Sequence, residues 1–194
     1  MKVLEDRIRK DGLVYPGHIL KVDSFLNHQI DIEFMDQLAM AFYDRYKDAG
    51  ITKIVTIESS GIAVASSTAR VFKVPMLFAK KSQSLNIGGD VYSTEVYSYT
   101  YKKVNKIIVS KKYLGEEDTV LIVDDFLATG NAMKGLCELC NKAGAKIAGI
   151  GFCIEKGFQS GRKELEELGY EVMSLAIIES MTDDGQITFR SDEL

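Results

Sequence analysis

Hydrophobic positions in the first fifty residues follow a helical spacing twice, over residues 1–12 and over residues 33–49. Because an α-helix has 3.6 residues per turn, each run predicts an amphipathic helix, and a glycine follows each one as a stop. The apolar positions are Val3, Leu4 and Ile8 in the first run and Phe34, Leu38, Phe42 and Tyr46 in the second. Residues 13–31 show no sustained periodicity and are predicted to be irregular or briefly extended.

From residue 53 onward, apolar β-branched runs alternate with helical patterns. The predicted strands are residues 53–57, 75–79, 106–110, 119–123, 146–155 and 170–178, and the predicted helices are residues 59–72, 130–143 and 162–169. Alternating strands and helices with short connections are typical of an α/β fold, with a mostly parallel central sheet flanked by helices. We expect all 194 residues to form a single domain.

Polar residues follow several of these strands. In open parallel sheets, ligands bind beyond the carboxyl ends of the strands, so these residues are expected to share one functional rim. They are Glu58, Lys80, Lys81, Asp124, Asp125, Glu155 and Lys156.

The stretch VLIVDDFLATGNA, residues 120–132, combines the features of an anion site. Its apolar run predicts a buried strand that ends at Asp124 and Asp125, whose carboxylates face the crevice and can accept hydrogen bonds from sugar hydroxyls. Small residues and the next helix N-terminus offer backbone N–H groups to a phosphate, and Thr129 can cap that helix. The alternative is a plain strand-to-helix turn, but such a turn needs one capping residue and not two adjacent aspartates.

Composition narrows the function further. Hydrophobic residues make up 46% of the chain and the formal net charge is −4, which favours a folded core and argues against nucleic-acid binding. The N-terminal segment lacks an apolar signal sequence and no apolar run could span a membrane, so we expect a cytoplasmic protein with reduced thiols. Cys137 and Cys140 share the apolar face of a predicted helix and are predicted to be core residues.

Residues 120–132 closely resemble the 5-phosphoribosyl 1-diphosphate (PRPP) signature of the type I phosphoribosyltransferases. Further segments resemble the xanthine-specific bacterial branch of that purine-salvage family, and the resemblance runs over essentially the whole chain. These segments are residues 21–31, 53–63, 96–100 and 149–162. The resemblance implies a type I fold with a small hood, formed by residues 1–31 plus C-terminal residues, over a core of about residues 33–160.

The resemblance also assigns the PRPP site. Asp124 and Asp125 match the pair that holds the ribose hydroxyls, and residues 128–132 match the loop around the 5′-phosphate, namely Ala128, Thr129, Gly130, Asn131 and Ala132. The loop that binds diphosphate is matched by Glu58, Ser59, Ser60 and Gly61, although these residues by themselves are equally typical of an ordinary helix start. Lys80 and Lys81 are assigned to the leaving diphosphate, in the same or a neighbouring subunit.

For the base, the resemblance implies that xanthine contacts Leu20, Asn27 and Lys156. A lysine and an asparagine amide suit the two carbonyl oxygens of xanthine, and Leu20 would cover the ring. Without the resemblance, core packing would be preferred for Leu20 and a solvated strand end for Lys156. Residues 80–101 resemble the mobile loop that closes over the site, with Gly88 and Gly89 as hinges and residues 92–100 as a hairpin arm.

The resemblance implies Mg²⁺ held mainly by PRPP and water with no direct protein ligand, and a homodimer. We assign no general base, because Ala128 stands near the position where hypoxanthine-guanine enzymes carry an aspartate. Two alternatives stay open. One is a transferase for guanine, hypoxanthine or adenine. The other is a PRPP-sensing purine regulator, which would carry a winged-helix domain and a basic surface, whereas this chain starts its hood at once and is acidic.

Overall fold

The computed structural model describes residues 1–81, 89–98 and 103–190. Within them, six strands form a central sheet in the order β10-β9-β8-β7-β3-β4, and all neighbours are parallel except β10 with β9. These strands are β3 (Lys53–Ile57), β4 (Met76–Ala79), β7 (Thr119–Leu127), β8 (Lys146–Lys156), β9 (Val172–Met181) and β10 (Ile187–Phe189). The mostly parallel α/β architecture predicted from the alternation is confirmed.

The predicted helices are all present. They are α1 (Lys2–Asp11), α2 (Ile32–Tyr46), α3 (Gly61–Phe72), α4 (Asn131–Lys142) and α5 (Gly161–Glu167). In α2 the four apolar positions spaced by four are all buried, as the pattern predicted. In α1 the prediction was wrong for Val3, which is 40% exposed, because Leu4 and Ile8 alone reach the core.

Two apolar clusters cover the two sides of the sheet. One packs α1, α2, α3 and the N-terminal segment, and it includes Leu121 and Val123 of β7. The other packs α4 and α5 and includes Val120 and Ile122, the intervening residues of the same strand. Because side chains alternate between the faces of a strand, β7 is buried on both sides and forms the centre of the domain. Cys137 and Cys140 lie in the second cluster, which confirms them as core residues.

The N-terminal segment is more regular than the sequence indicated. A hairpin joins β1 (Leu13–Tyr15) to β2 (Ile19–Lys21), and a π-helical turn follows at Asp23–Asn27. Its strands have three residues each, too short for a period of two to be recognised.

The predicted strand at residues 106–110 was placed in the central sheet, and this was wrong. It belongs to β6 (Lys103–Ser110), which pairs antiparallel with β5 (Val91–Ser98) in a separate two-stranded ribbon. A bridge between Lys80 and Ile108 connects the ribbon to the end of β4. The hairpin arm expected at residues 92–100 agrees with β5 as far as residue 98, whereas residues 82–88 and 99–102 of the expected loop lie outside the described residues.

The sheet continues past residue 160, since β9 and β10 both pair within it. The division into a hood and a core remains a prediction. No helix in the described part of the chain is long and apolar enough to cross a membrane.

Candidate active site

The two aspartates of the signature are inside the strand and not beyond its end. Strand β7 continues through Asp124 and Asp125 to Leu127, because β8 pairs with it as far as the Leu127–Glu155 position. Asp124 is 9% exposed and Asp125 is 6% exposed. The expectation of a strand ending at exposed carboxylates was therefore wrong, and both groups need partners from the protein or from a ligand.

Asp124 packs against the start of α3. Its Oδ1 accepts a hydrogen bond from the Asp125 backbone N–H at 3.0 Å. A Cβ at Gly61 would lie 2.4 Å from this oxygen and 2.2 Å from Thr56 Oγ1, so only glycine allows the approach. Burial, and after it the charge of Asp125, raises the pKa of Asp124 well above its usual value.

Asp125 joins three segments that are distant in sequence. Its Oδ2 accepts a hydrogen bond from Asn27 Nδ2 at 2.8 Å, and its Oδ1 accepts one from Ser60 Oγ at 3.1 Å. The N-terminal π-helical turn and the 58–61 loop therefore meet at the second aspartate of the signature. The sequence assigned these residues separately to base, diphosphate and ribose, and the structure brings them together.

The loop after β7 leads to an open helix N-terminus. Gly130 is the N-cap of α4, with φ of 73°, and no side-chain hydrogen bond caps the helix within the described residues. The prediction that Thr129 caps this helix was therefore wrong. The first N–H groups of α4 stay available to an anion, and they lie where Asn131 and Ala132 begin the helix.

The start of α5 braces this loop. The Gly161 N–H donates to the Ala128 carbonyl at 3.1 Å. A Cβ at Gly161 would lie 2.4 Å from that carbonyl oxygen and 3.0 Å from the Gly130 nitrogen. Gly161 was not predicted as a site residue, because it lies one position before the predicted helix at residues 162–169 and has no sequence pattern of its own.

We expect Gly161→Ala to weaken the use of PRPP, the ligand that the sequence resemblance implies for this loop. The added methyl group meets backbone and not a flexible side chain, so the 128–130 loop must shift. Overpacking of this kind costs about 1–3 kcal/mol, which corresponds to a roughly 5- to 150-fold higher KM for PRPP. Steady-state kinetics with varied PRPP checks this. Gly115→Ala is the control, because a Cβ there meets nothing within 4 Å, and an equal KM in both variants would contradict the bracing role.

The 58–61 loop lies beside the end of β4. Glu58 accepts a hydrogen bond from the Lys81 backbone N–H at 2.5 Å, and the Glu58–Ser59 peptide bond is cis. Ser59 is exposed. The backbone of Lys80 both donates a hydrogen bond to Ile108 and accepts one from it. Lys81 lies close enough to Asp124 for its charge to lower the pKa of that carboxyl in part. The structure therefore brings Ser60, Gly61 and Lys81 close to the aspartates. The Lys80 ammonium instead lies over the Phe78 ring, 5.9 Å from its centroid.

Lys156 contacts the N-terminal hairpin. Its ammonium donates to the His18 carbonyl at 2.8 Å, and partial burial lowers its pKa. The His18 ring lies 5.2 Å from the Phe158 ring, centroid to centroid, so the hairpin turn covers the segment after β8. Leu20, two residues further along the hairpin, is buried in the apolar cluster. His18 and Phe158 were not predicted as site residues, since neither has a sequence pattern of its own.

Glu155 does not belong to the rim where the strand pattern placed it. It is 2% exposed, and Arg162 Nε donates to its two oxygens at 2.9 and 3.0 Å. Arg162 Nη2 and Ser174 Oγ donate to the same carboxylate at 2.7 and 2.6 Å. These partners lie on α5 and β9, so Glu155 fixes α5 against β8 and β9.

No group of three or more His, Cys, Asp or Glu side chains that could hold a metal ion is found within residues 1–81, 89–98 and 103–190.

Residues 23–184 match the family described as phosphoribosyl transferase domain. The chain belongs to the phosphoribosyltransferase family. It is 55% identical to a xanthine phosphoribosyltransferase from Bifidobacterium adolescentis over 98% of this chain and 100% of the relative. It is 52% identical to a xanthine phosphoribosyltransferase from Lachnoclostridium phytofermentans over the whole of both chains.

A solved structure of the same fold supports this assignment. The APRTase from Giardia lamblia, solved with 9-deazaadenine, superposes with a TM-score of 0.78 at 27% identity and covers 91% of this chain and 98% of its own. The type I architecture expected from the sequence resemblance is thereby confirmed, with its mostly parallel sheet and flanking helices.

Proposed function

We propose that this protein transfers the 5-phosphoribosyl group from PRPP to N9 of xanthine, giving xanthosine monophosphate (XMP) and diphosphate in purine salvage. The observation that carries the transferase assignment is the junction of Asp124 and Asp125 with the 58–61 loop, on a strand that leads into the open N-terminus of α4. The choice of xanthine is supported by full-length relatives at 52–55% identity that carry that name. The solved structure that holds an adenine analogue is only 27% identical.

The residues of this junction are suited to bind the three polar parts of PRPP, which are its ribose hydroxyls, its 5′-phosphate and its diphosphate. The Asp124 and Asp125 carboxylates accept hydrogen bonds from the ribose hydroxyls. The N–H groups that follow Gly130 bind the 5′-phosphate, and the positive end of the α4 dipole favours its charge. Ser59, Ser60 and the backbone of the 58–61 loop take the diphosphate.

The chain then acts by positioning and by stabilising the leaving group. N9 of the base forms a bond to C1′ of the ribose as the bond from C1′ to the diphosphate oxygen breaks, and the base loses a proton. Lys80 and Lys81 offset the charge that develops on the diphosphate. Xanthine is acidic enough to release a proton near neutral pH, and we assign no side chain as the general base.

Mg²⁺ fits this site as a partner of PRPP. Mg²⁺ is usually held by one or two carboxylates, substrate phosphates and water, and the pair Asp124 and Asp125 can accept hydrogen bonds from its waters. When bound, it neutralises phosphate charge and favours departure of the diphosphate. A homodimer and a closing loop over residues 80–101 are further parts of the proposal and rest on the sequence resemblance. A cytoplasmic location is also part of the proposal.

Initial velocities with a panel of bases test the function directly. Xanthine, guanine, hypoxanthine and adenine are compared at fixed PRPP and Mg²⁺, and XMP is identified by chromatography. We expect xanthine to give the highest kcat/KM. Faster turnover of adenine than of xanthine would contradict the assignment of xanthine as the substrate. Specific DNA binding without any nucleotide product would favour the alternative of a PRPP-sensing purine regulator.

We expect Lys156→Ala to impair xanthine more than hypoxanthine. The Lys156 ammonium is half-buried beside the hairpin, and we propose that it donates to the 2-oxo group, which hypoxanthine lacks. Loss of a hydrogen bond from a charged donor costs about 1.5–3 kcal/mol, or roughly 10- to 150-fold in kcat/KM. The ratio of kcat/KM for the two bases is the readout. Lys163→Ala, on the exposed side of α5, serves as the control, and an unchanged ratio in Lys156→Ala would remove Lys156 from base recognition.

A further inference from the structure

The hydrogen bond between Asn27 and Asp125 points to a second role for Asn27. We propose that Asn27 is a positioning residue for Asp125, so that a residue of the base site also supports PRPP binding when no base is present. This inference rests on the proposed function, since it names a requirement of the same PRPP site.

The backbone of Asn27 is anchored by buried residues before it and by hydrogen bonds of the segment that follows it. It ends the π-helical turn, and the two residues before it, Phe25 and Leu26, are fully buried. Backbone hydrogen bonds tie the turn to the following segment, with the Gln29 N–H donating to Asp23 O at 2.8 Å and the Asp31 N–H to Phe25 O at 3.0 Å. The Asn27 amide is therefore presented to Asp125 by a rigid support.

Asp125 depends on such donors because of its surroundings. It is nearly buried, and the adjacent Asp124 carboxyl lies close enough for the two groups to interact electrostatically. A carboxylate has about four acceptor positions, and Asn27 and Ser60 occupy one on each oxygen. Within the described residues, these two donors orient the carboxylate plane before a ribose hydroxyl binds.

Removing the Asn27 amide leaves Asp125 Oδ2 without this donor while the oxygen stays buried. The carboxylate then rotates or recruits water, and PRPP must restore its orientation on binding. A residue that only reads the base would have no effect on PRPP in the absence of base. PRPP affinity without base therefore separates the two roles.

The test is isothermal titration of PRPP with Mg²⁺ into the base-free protein. We expect Asn27→Ala to weaken PRPP binding roughly tenfold or more, as expected for a lost hydrogen bond to a charged group. Asn27→Asp should weaken it further at neutral pH, because a third carboxylate would then face Asp125. Ser24→Ala is the matched control, since Ser24 belongs to the same turn and its side chain is not part of the Asp125 contact.

Each outcome decides the matter. Weaker binding in the order wild type, Asn27→Ala, Asn27→Asp supports the positioning role, because a simple loss of packing would make the smaller alanine the worse variant. Wild-type affinity in Asn27→Ala, or tighter binding by Asn27→Asp than by Asn27→Ala, overturns it and leaves Asn27 as a base contact. If the wild-type protein itself fails to bind PRPP, the proposed function fails first. Thermal unfolding of each variant shows that the compared proteins are folded.

Discussion

Asp124→Asn combined with Asp125→Asn is expected to reduce kcat/KM for PRPP by roughly 100-fold or more, since each carboxylate hydrogen bond to a ribose hydroxyl is worth about 1.5–3 kcal/mol. Within the described residues, these two carboxylates join the signature strand to the 58–61 loop and to the π-helical turn. Steady-state kinetics with varied PRPP measures the loss. A double variant with normal kcat/KM would show that the ribose is held elsewhere.

The same substitution is not expected to unfold the protein, and Asp124 should even be a stability liability. Burial and then Asp125 raise its pKa in the folded state above the unfolded value of about 3.9. The folded protein therefore holds this proton more tightly, so the contribution of Asp124 to stability falls as pH rises from about 4 toward the raised pKa. Asparagine cannot ionise, and the free energy of unfolding of Asp124→Asn relative to wild type should rise over that window.

Urea unfolding at about pH 4 and about pH 8 measures this difference. If the stability of Asp124→Asn relative to wild type fell between about pH 4 and about pH 8, the ionised Asp124 carboxylate would be stabilising the fold. In that case, the loss of activity in the double variant could not be assigned to PRPP alone.

Arg162→Met should cause the largest loss of stability. Glu155 is 2% exposed and receives three hydrogen bonds from the Arg162 guanidinium. Removal of one partner from a buried ion pair leaves an uncompensated charge and costs about 3–5 kcal/mol. Urea denaturation monitored by circular dichroism gives the free energy of unfolding.

Lys163→Met is the control for this prediction. Lys163 is the next residue of α5 and also carries a positive charge, but its pair with Glu167 is exposed on both sides. We expect a change close to zero for this surface pair. Equal losses in the two variants would show that the Arg162 effect comes from the helix and not from the buried carboxylate.

The secondary structure was largely predictable, because in most helices and strands the apolar residues recur at a regular spacing. The four-residue spacing in α2 and the apolar face of α4 were recognised without any long-range information. The fate of residues 106–110 was not predictable, since an apolar run looks the same in a central sheet and in a packed ribbon. Partner choice depends on residues far away in sequence, and local periodicity carries no information about it.

The candidate site also has features that are local in sequence and were predictable, and features set by distant contacts that were not. The order of Asp124, Asp125 and the 128–132 loop is local, so the sequence alone indicated a sugar and phosphate site. The degree of burial of the aspartates was missed, because the pairing of β7 with β8 extends the strand beyond the apolar run.

By itself, the sequence determined the α/β fold class, the signature loop and the family to which the chain belongs. Only the tertiary structure decided which residues meet at the signature. Asn27 reaches Asp125 across 98 residues, and Gly161 approaches the backbone of the 128–130 loop so closely that a side chain would clash. The tertiary structure also showed that Glu155, which the sequence placed at the rim, is the buried partner of Arg162. These contacts depend on how separate elements pack, and packing is set by the whole chain and not by any one segment.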